Sequence, residues 1–354
     1  MIEQASLSSS HGRRTHLSYA GQTGIIVQSL VSNKTVVVDM SPSASEHGQT
    51  ERLAARIAPH ISRDGFTPTA LDGLSLLGYA GRTIRQPEVY EPSLVFVAQG
   101  EKTAHLEDRV IHYGAGHYLV QAIPVPFECE TRGERDIPVL GLSLRVEPAV
   151  LDELVTSMPD EAWPEPDATD TASLPMAAVA LDAHMTDALL RLLDCLEDDL
   201  SARALYAARV REVIFEALRG PQGHLLRRLI HERGAYARIG TAINHLHADY
   251  AKSLSVEELA ASVHMSASSF HHHFKRVTRL SPLQYQKRIR LLAARDLLSS
   301  QVENVAGAAH AVGYESASQF SREYKRYFGV APTHDRTQLA ETGTLALNDR
   351  AATS

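Results

Sequence analysis

The 354-residue chain is long enough for two domains, and at 44% hydrophobic and 22% charged it has the composition of an ordinary globular protein. A net charge of −7 argues against a chain coated in nucleic acid, and two cysteines, Cys129 and Cys195, make no disulfide framework. Met1 to Ser10 is polar, and the apolar candidate from Gly24 to Met40 is broken by Gln28, Ser29, Ser32, Asn33 and Lys34. Neither a secretion signal nor a membrane span is expected, and a cytoplasmic location follows by elimination.

The charge is unevenly placed. Residues 236–338 carry 13 Lys and Arg against 8 Asp and Glu, so this segment is +5 within a chain that is −7 overall. Eight of the 18 histidines lie there as well. A basic module on an acidic body is suited to gripping phosphates with one end only.

In chain order, residues 1–49 are rich in Ser, Gly, Thr and His without periodicity and are expected to be a disordered extension, with Met40 as an alternative start to Met1. A short helical pattern follows from Thr50 to His60. Residues 50–157 form the expected sensor domain. Short β-type runs recur at Leu74–Tyr79, Leu94–Val97, Thr103–Leu106, Val110–Tyr113, Tyr118–Val120, Phe127–Glu130 and Val139–Leu144. They are punctuated by Gln86-Pro87, Gln99-Gly100, Gly114-Ala115-Gly116 and Arg132-Gly133, the texture of a small antiparallel barrel or sandwich. Residues 158–175, with several prolines and acids, read as a linker. Residues 176–235 read as a helical linker and dimerisation region. Leu181, Met185, Leu189, Leu192, Leu193 and Leu196 form one apolar stripe, and Leu205, Val210, Val213, Ile214, Ala217 and Leu218 another. Such helices would pack on the barrel or on a second subunit, making a homodimer. Residues 339–354 are expected to be a flexible tail.

The segment 236–338 contains an internal repeat. Leu259 to Phe270 aligns with Ala308 to Phe320, and beyond the phenylalanines the offset is a constant 50: Phe270/Phe320, Phe274/Tyr324, Lys275/Lys325, Arg276/Arg326, Pro282/Pro332. Each copy has the grammar of helix-turn-helix. Ala260 and Ala309 allow close helix approach, Val263 and Val312 end the first helix, and Gly313 suits a positive φ in the second turn. Ser266 and Ser316 can cap the second helix. The recognition helices are expected at about 266–276 and 316–326. Their outer faces carry Ser268, Ser269, His271 and His272 in copy one, and Ala317, Ser318, Gln319 and Arg322 in copy two, all candidates for reading bases. Ser266, Lys275, Arg276, Ser316, Lys325 and Arg326 are candidates for phosphate contact. One amphipathic helix with a basic end is usually only a solvated face; two copies in register on the basic part of an acidic chain are not.

The run from Val312 to Lys325, followed by Gly329, Pro332 and Arg336, resembles the AraC/XylS signature, and Tyr285 to Leu298 resembles that family's connector helix. Asp335 departs from the pattern, standing where the family has an aromatic residue. Tyr90 to Leu94, Gln99-Gly100, Tyr113 and Gly116 to Val120 resemble the cupin-like N-terminal domain of one subgroup. The resemblance implies an α+β multidomain protein: an N-terminal cupin-like β-barrel with accessory helices, then a C-terminal all-α tandem helix-turn-helix domain of seven helices. It implies a transcriptional regulator, an activator as most relatives are, that binds double-stranded promoter DNA and RNA polymerase under a small-molecule effector. His272 and Arg322 fall where family members place principal base-reading side chains. Tyr90, His105, His117 and Cys129 are the candidate effector residues, Cys129 also as a reactive thiol.

No metal or cofactor is expected. His105, His112, His117 and Glu128 lack the paired-histidine spacing of metal-binding cupins. His271, His272 and His273 fan out by about 100° each and cannot converge on one ion. The alternative, a cupin-type metal-dependent enzyme fused to a DNA-binding domain, needs that missing ligand set.

Overall fold

Strand alternation and helical stripes sort the apolar residues into two facing sheets and a layer of helices. The computed structural model describes residues 35–37, 44–107, 109–134, 136–159, 163–164, 174–230, 234–300 and 303–342. The first sheet has the order β1 (Thr35–Val37), β7 (Arg109–Gly114), β6 (Glu101–Leu106), β9 (Phe127–Arg132), β4 (Gln86–Glu88). The second has the order β11 (Met176–Ala180), β8 (His117–Gln121), β5 (Ser93–Gln99), β10 (Val139–Arg145), β3 (Leu74–Tyr79), β2 (Gly65–Pro68). Pairing is antiparallel except between β1 and β7.

The second sheet is covered on both faces, which is why β5 reads as the continuous run Leu94-Val95-Phe96-Val97. Val95 and Val97 face the first sheet, in a cluster with Ala104, Ile111 and Cys129. Leu94 and Phe96, with Leu140, Leu142 and Leu144 of β10, face the helices. Those helices are α1 (Ala44–Ile57), α2 (Pro148–Ser157), α3 (Ala183–Asp194), α4 (Asp199–Arg219) and α5 (Gly223–Ile230). Asp182 and Asp198 cap α3 and α4, each accepting backbone N–H groups of the first turn.

All seven β-runs expected from the sequence are strands, and the two apolar stripes lie on α3 and α4. They pack on the second sheet, with one exception: Leu205 is 41% exposed and does not belong to the α4 stripe. Other boundaries shift. Residues 35–37 form β1 and Ala44 begins α1, both within the stretch read as a disordered extension; residues 1–34, 38–43 and 343–354 lie outside the described residues. Gln86-Pro87, read as a turn, opens β4, because its backbone pairs with Cys129 and Glu128 at the sheet edge. The region read as helical from 176 begins with β11, which pairs with β8 and so belongs to the sheet. Trp163, within the expected linker, is buried.

Seven helices follow: α6 (Ala235–Ala248), α7 (Val256–Ser262), α8 (Ala267–Thr278), α9 (Pro282–Ser299), α10 (Val305–Ala311), α11 (Ala317–Phe328) and α12 (Pro332–Thr342). Among the described residues no helix is long and apolar enough to cross a membrane.

Candidate nucleic-acid interface and effector cleft

The repeat folds twice into the same unit. Ala260 and Ala309 are fully buried where α7 meets α8 and α10 meets α11. Val263 and Val312 end the first helix of each pair. The turn then needs a left-handed residue: Gly313 has φ +84°, and its equivalent in copy one is His264 at φ 55°. Any Cβ at Gly313 would run into the Ala251 carbonyl. Ser266 accepts the Ser269 N–H and Ser316 the Gln319 N–H, both at 3.3 Å, so both hydroxyls cap their helices. Phe270, Phe274, Phe320 and Tyr324 are buried. Both helices close on a left-handed residue, Arg279 and Gly329.

This burial turns the other face outward. Ser268, His271, His272, Lys275 and Arg276 are exposed on α8, and Ser269 is half-buried. Ala317, Ser318, Gln319, Arg322, Lys325 and Arg326 are exposed on α11. Burial, then the Arg276 and His272 charges, lowers the His273 pKa, so that ring is neutral at pH 7. Gln319 leans on Glu323 at 3.4 Å, whereas Arg322 reaches outward.

One residue of α9, Arg290, joins the copies and a second, Gln286, supports it; sequence reasoning gave neither a role. Arg290 donates to the carbonyls of Tyr250 (2.7 Å), Ala251 (3.1 Å), Lys252 (2.8 Å) and Gly313 (3.0 Å). Gln286 donates to those of Tyr250 and Lys252. One guanidinium thus ties the turn after α6 to the turn of the second copy, and the two recognition helices sit on one frame. At the far end, Asp335 accepts from Tyr324 (2.6 Å) and Arg295 (3.0 Å). The departure from the aromatic pattern is therefore met by a buried polar contact that docks α12.

The sensor touches this frame at several points. Tyr285 donates to the Pro124 carbonyl and meets His247 at 2.8 Å. Arg288 of α9 pairs with Glu107, in the turn after β6, at 2.6 Å. Glu107 also borders the depression formed by Ser268, His271, His272 and Lys275 on α8. Arg295 donates to Gln86 of β4 at 3.4 Å.

Between the domains lies a cleft of about 500 Å³. Ser75, Ser93, Ser143, Phe66 and Tyr90 line it from the sensor, and His247, Tyr250, Ile289 and Leu292 from the helices. Of the four effector candidates only Tyr90 is there. His105 lies on the opposite face of β6, paired with Glu130 at 3.3 Å, because period-2 alternation sends it outward while Ala104 and Leu106 face in. His117 is buried on β8, bonded to the Ala115 carbonyl at 3.3 Å. Cys129 is enclosed between the sheets behind Tyr90, and burial pushes its thiol pKa up to about 12. A thiol so held is a poor nucleophile, which contradicts its reading as a reactive sensor. Among the described residues no three His, Cys, Asp or Glu side chains gather as a metal would need.

The sequence reading also missed Lys102. It is 1% exposed, on the inner face of β6 with Ala104 and Leu106. Alternation could have found it, had the strand been started at Glu101 rather than Thr103.

Comparison with known proteins agrees with this anatomy. Residues 70–225 match the family described as AraC-type transcriptional regulator N-terminus, and residues 259–338 match a helix-turn-helix domain. The HTH-type transcriptional regulator GbdR of Pseudomonas aeruginosa is 29% identical over 135 residues, 38% of this chain and 37% of the relative. The HTH-type transcriptional activator RhaS of Escherichia fergusonii is 28% identical over 157 residues, 44% of this chain and 56% of the relative. The matched stretch thus spans about a third to a half of these relatives. The crystal structure of apo ToxT from Vibrio cholerae superposes with a TM-score of 0.52 at 9% identity, covering 77% of this chain and 100% of that one, a likeness of fold. With a matched regulator N-terminus, a matched helix-turn-helix domain and the tandem repeat in place, the chain belongs to the AraC/XylS-type transcriptional regulators.

Proposed function

We propose that the chain is a sequence-specific regulator of transcription that lays α8 and α11 into two adjacent major-groove segments of double-stranded DNA. The observation that carries this reading is the Arg290 clamp: it holds two outward-facing recognition helices on one frame, as reading successive grooves about 34 Å apart requires. Ser268, Ser269, His271, His272, Ala317, Ser318, Gln319 and Arg322 read bases, with Arg322 suited to a bidentate grip on guanine. Lys275, Arg276, Lys325 and Arg326 meet phosphates; Ser266 and Ser316, whose hydroxyl oxygens accept as caps, keep their O–H to donate to a phosphate oxygen.

A small molecule in the interdomain cleft is the proposed signal, since its walls come from both domains. Glu107 is the proposed relay: its carboxylate lies beside α8, where it competes with DNA phosphate, and its hold on Arg288 reaches α9. The chain acts as an activator that engages RNA polymerase, and as a homodimer through α4, whose Leu200 and Leu205 are exposed at 77% and 41%.

Fluorescence anisotropy with DNA from upstream of the chain's own and neighbouring genes, against random competitor, tests the reading. Specific affinity whose logarithm falls linearly with log salt is expected. Weak, sequence-blind binding at every salt concentration would sink it.

A further inference from the structure

Lys102 is the least explained residue in the molecule. An ammonium has three donors, yet among the described residues Lys102 forms no ion pair; its partners are the Thr131 hydroxyl, at a long 3.5 Å, and the Cys129 thiol, a weak acceptor. Its other neighbours are the rings of Tyr79 and Phe66, at 5.4 and 5.9 Å. Strand register puts Tyr113, Lys102 and Thr131 in one inward row across β7, β6 and β9. It puts Glu88 of β4 inward too, opposite Phe127.

Three buried polar atoms around this row lack an oxygen or nitrogen partner: the hydroxyls of Tyr90 and Tyr113, and one carboxylate oxygen of Glu88. Both hydroxyls turn toward the Cys129 thiol, a weak partner. Native interiors leave few such groups poorly met, and here an ammonium, a carboxylate oxygen and two hydroxyls have weak partners or none together. Beside Lys102 on the same face stands the small side chain of Ala104.

Phe66 and Tyr90 meet edge to face at 5.5 Å, bridging edge strand β2 and the end of β4. Both line the interdomain cleft, and the Phe66 ring also faces the Lys102 ammonium.

We propose that the interior around this row opens from the cleft as a chamber and binds a small α-amino or α-hydroxy acid, with the carboxylate on Lys102 and the Tyr90 and Tyr113 hydroxyls, and the amine or hydroxyl on Glu88. The proposal rests on the reading of the cleft as the effector site and names the ligand class. A hydrocarbon acid fits less well, because Ser75, Ser93 and Ser143 pave the approach and Glu88 demands a donor. Lys102 lies on β6, which runs directly into the turn at Glu107, so a ligand that draws on Lys102 acts on the turn held by Arg288.

Two measurements on the full chain test this. In calorimetric titration with glycine, L-alanine, L-serine, lactate and glycerate, at least one acid is expected to bind below about 10 mM, with propionate and alaninamide about tenfold weaker or worse. Lys102→Met should abolish that binding and Tyr113→Phe weaken it several-fold. Glu88→Gln should weaken the amino acids more than the hydroxy acids. Without ligand, Lys102→Met should melt at or above the wild type, since an unpaired buried charge is removed; a structural lysine would instead lower the melting temperature. No binding by any of the five acids, binding unchanged in Lys102→Met, or a lower melting temperature for that variant overturns the proposal. DNA binding separates the two readings: specific DNA binding without acid binding defeats only the chamber, and acid binding without DNA binding defeats only the regulator.

Discussion

Phe270 and Phe320 occupy the same place in the two helix-turn-helix copies, fifty residues apart and equally buried, yet they stand on different foundations. Phe270, with Phe274, Tyr236, Ile239 and Tyr285, belongs to an apolar cluster that continues through Val125 and Ile123 into the space between the two sheets. Phe320, with Tyr324, Val312 and Leu298, belongs to a separate cluster confined to α9, α10, α11 and their neighbours. Copy one is thus fused to the sensor by shared core, and copy two is attached by polar contacts of α9: Arg290 to the Gly313 carbonyl, Arg288 to Glu107 and Arg295 to Gln86. Apolar cores are non-directional and change state collectively, whereas exposed ion pairs can be exchanged one at a time. A signal from the sensor therefore has two routes, one through packing to α8 and one through separable polar contacts to α11.

The comparison can be broken at its cores. Phe270→Ala and Phe320→Ala each delete a buried ring and should each cost about 3–5 kcal/mol. The first should lower hydrogen-exchange protection in the sensor strands as well as in α8; the second should leave those strands unaffected. Equal effects on the sensor would mean that the two copies are equally coupled.

The clamp comes next. Arg290→Met leaves the carbonyls of Ala251 and Gly313 without this donor, those of Tyr250 and Lys252 keeping Gln286, and should cost about 3 kcal/mol in denaturant unfolding. Affinity for a two-groove site should fall much more than affinity for a half-site, because the copies no longer share a frame.

Arg322→Ala should cost about 1–3 kcal/mol of DNA binding and relax specificity at one base pair. His272→Ala, at the equivalent face of copy one, should cost less, since imidazole offers a single hydrogen bond rather than a fork. Reversed sizes in competition anisotropy would place the sharper reader in copy one.

Glu107→Gln removes a partly exposed pair with Arg288 and should change stability by about 1 kcal/mol or less. DNA affinity should nonetheless rise modestly, because a carboxylate leaves the edge of α8. The smallest expected signal is chemical. With its thiol pushed up to about 12, Cys129 should react with iodoacetamide at pH 8 about a thousandfold slower than a free thiol. Mass spectrometry should find it labelled only in denaturant.

Much of this architecture was legible in the chain. Seven strands appeared as short β-branched and aromatic runs between Gly and Pro, and the repeat from Leu259 to Pro332 located both recognition helices to within two residues of each end. These are local properties: alternation, helical spacing, caps at Ser266 and Ser316, and the left-handed turn at Gly313 are set by neighbours a few residues apart. The outward faces of α8 and α11 were equally legible, because burying Phe270, Phe274, Phe320 and Tyr324 leaves one way for the remaining residues to point.

What remained was decided by contacts distant in sequence. The short edge strands β1, β2, β4 and β11 have weak patterns of their own and exist because a neighbouring strand offers hydrogen bonds. Asp335 looked like a defect until Tyr324 and Arg295 were seen to meet it. His105, His117 and Cys129 were polar or reactive residues in the right domain, but only the sheets' pairing sent one outward, one to a buried backbone carbonyl and one behind Tyr90. The sequence by itself determined that the chain carries two helix-turn-helix units on a β-rich sensor, since those patterns are written in residues close together. That Lys102 sits between two sheets with no ion-pair partner among the described residues, and that one arginine ties the two copies together, was decided by tertiary structure alone, because a buried group's partners are defined by everything packed around it.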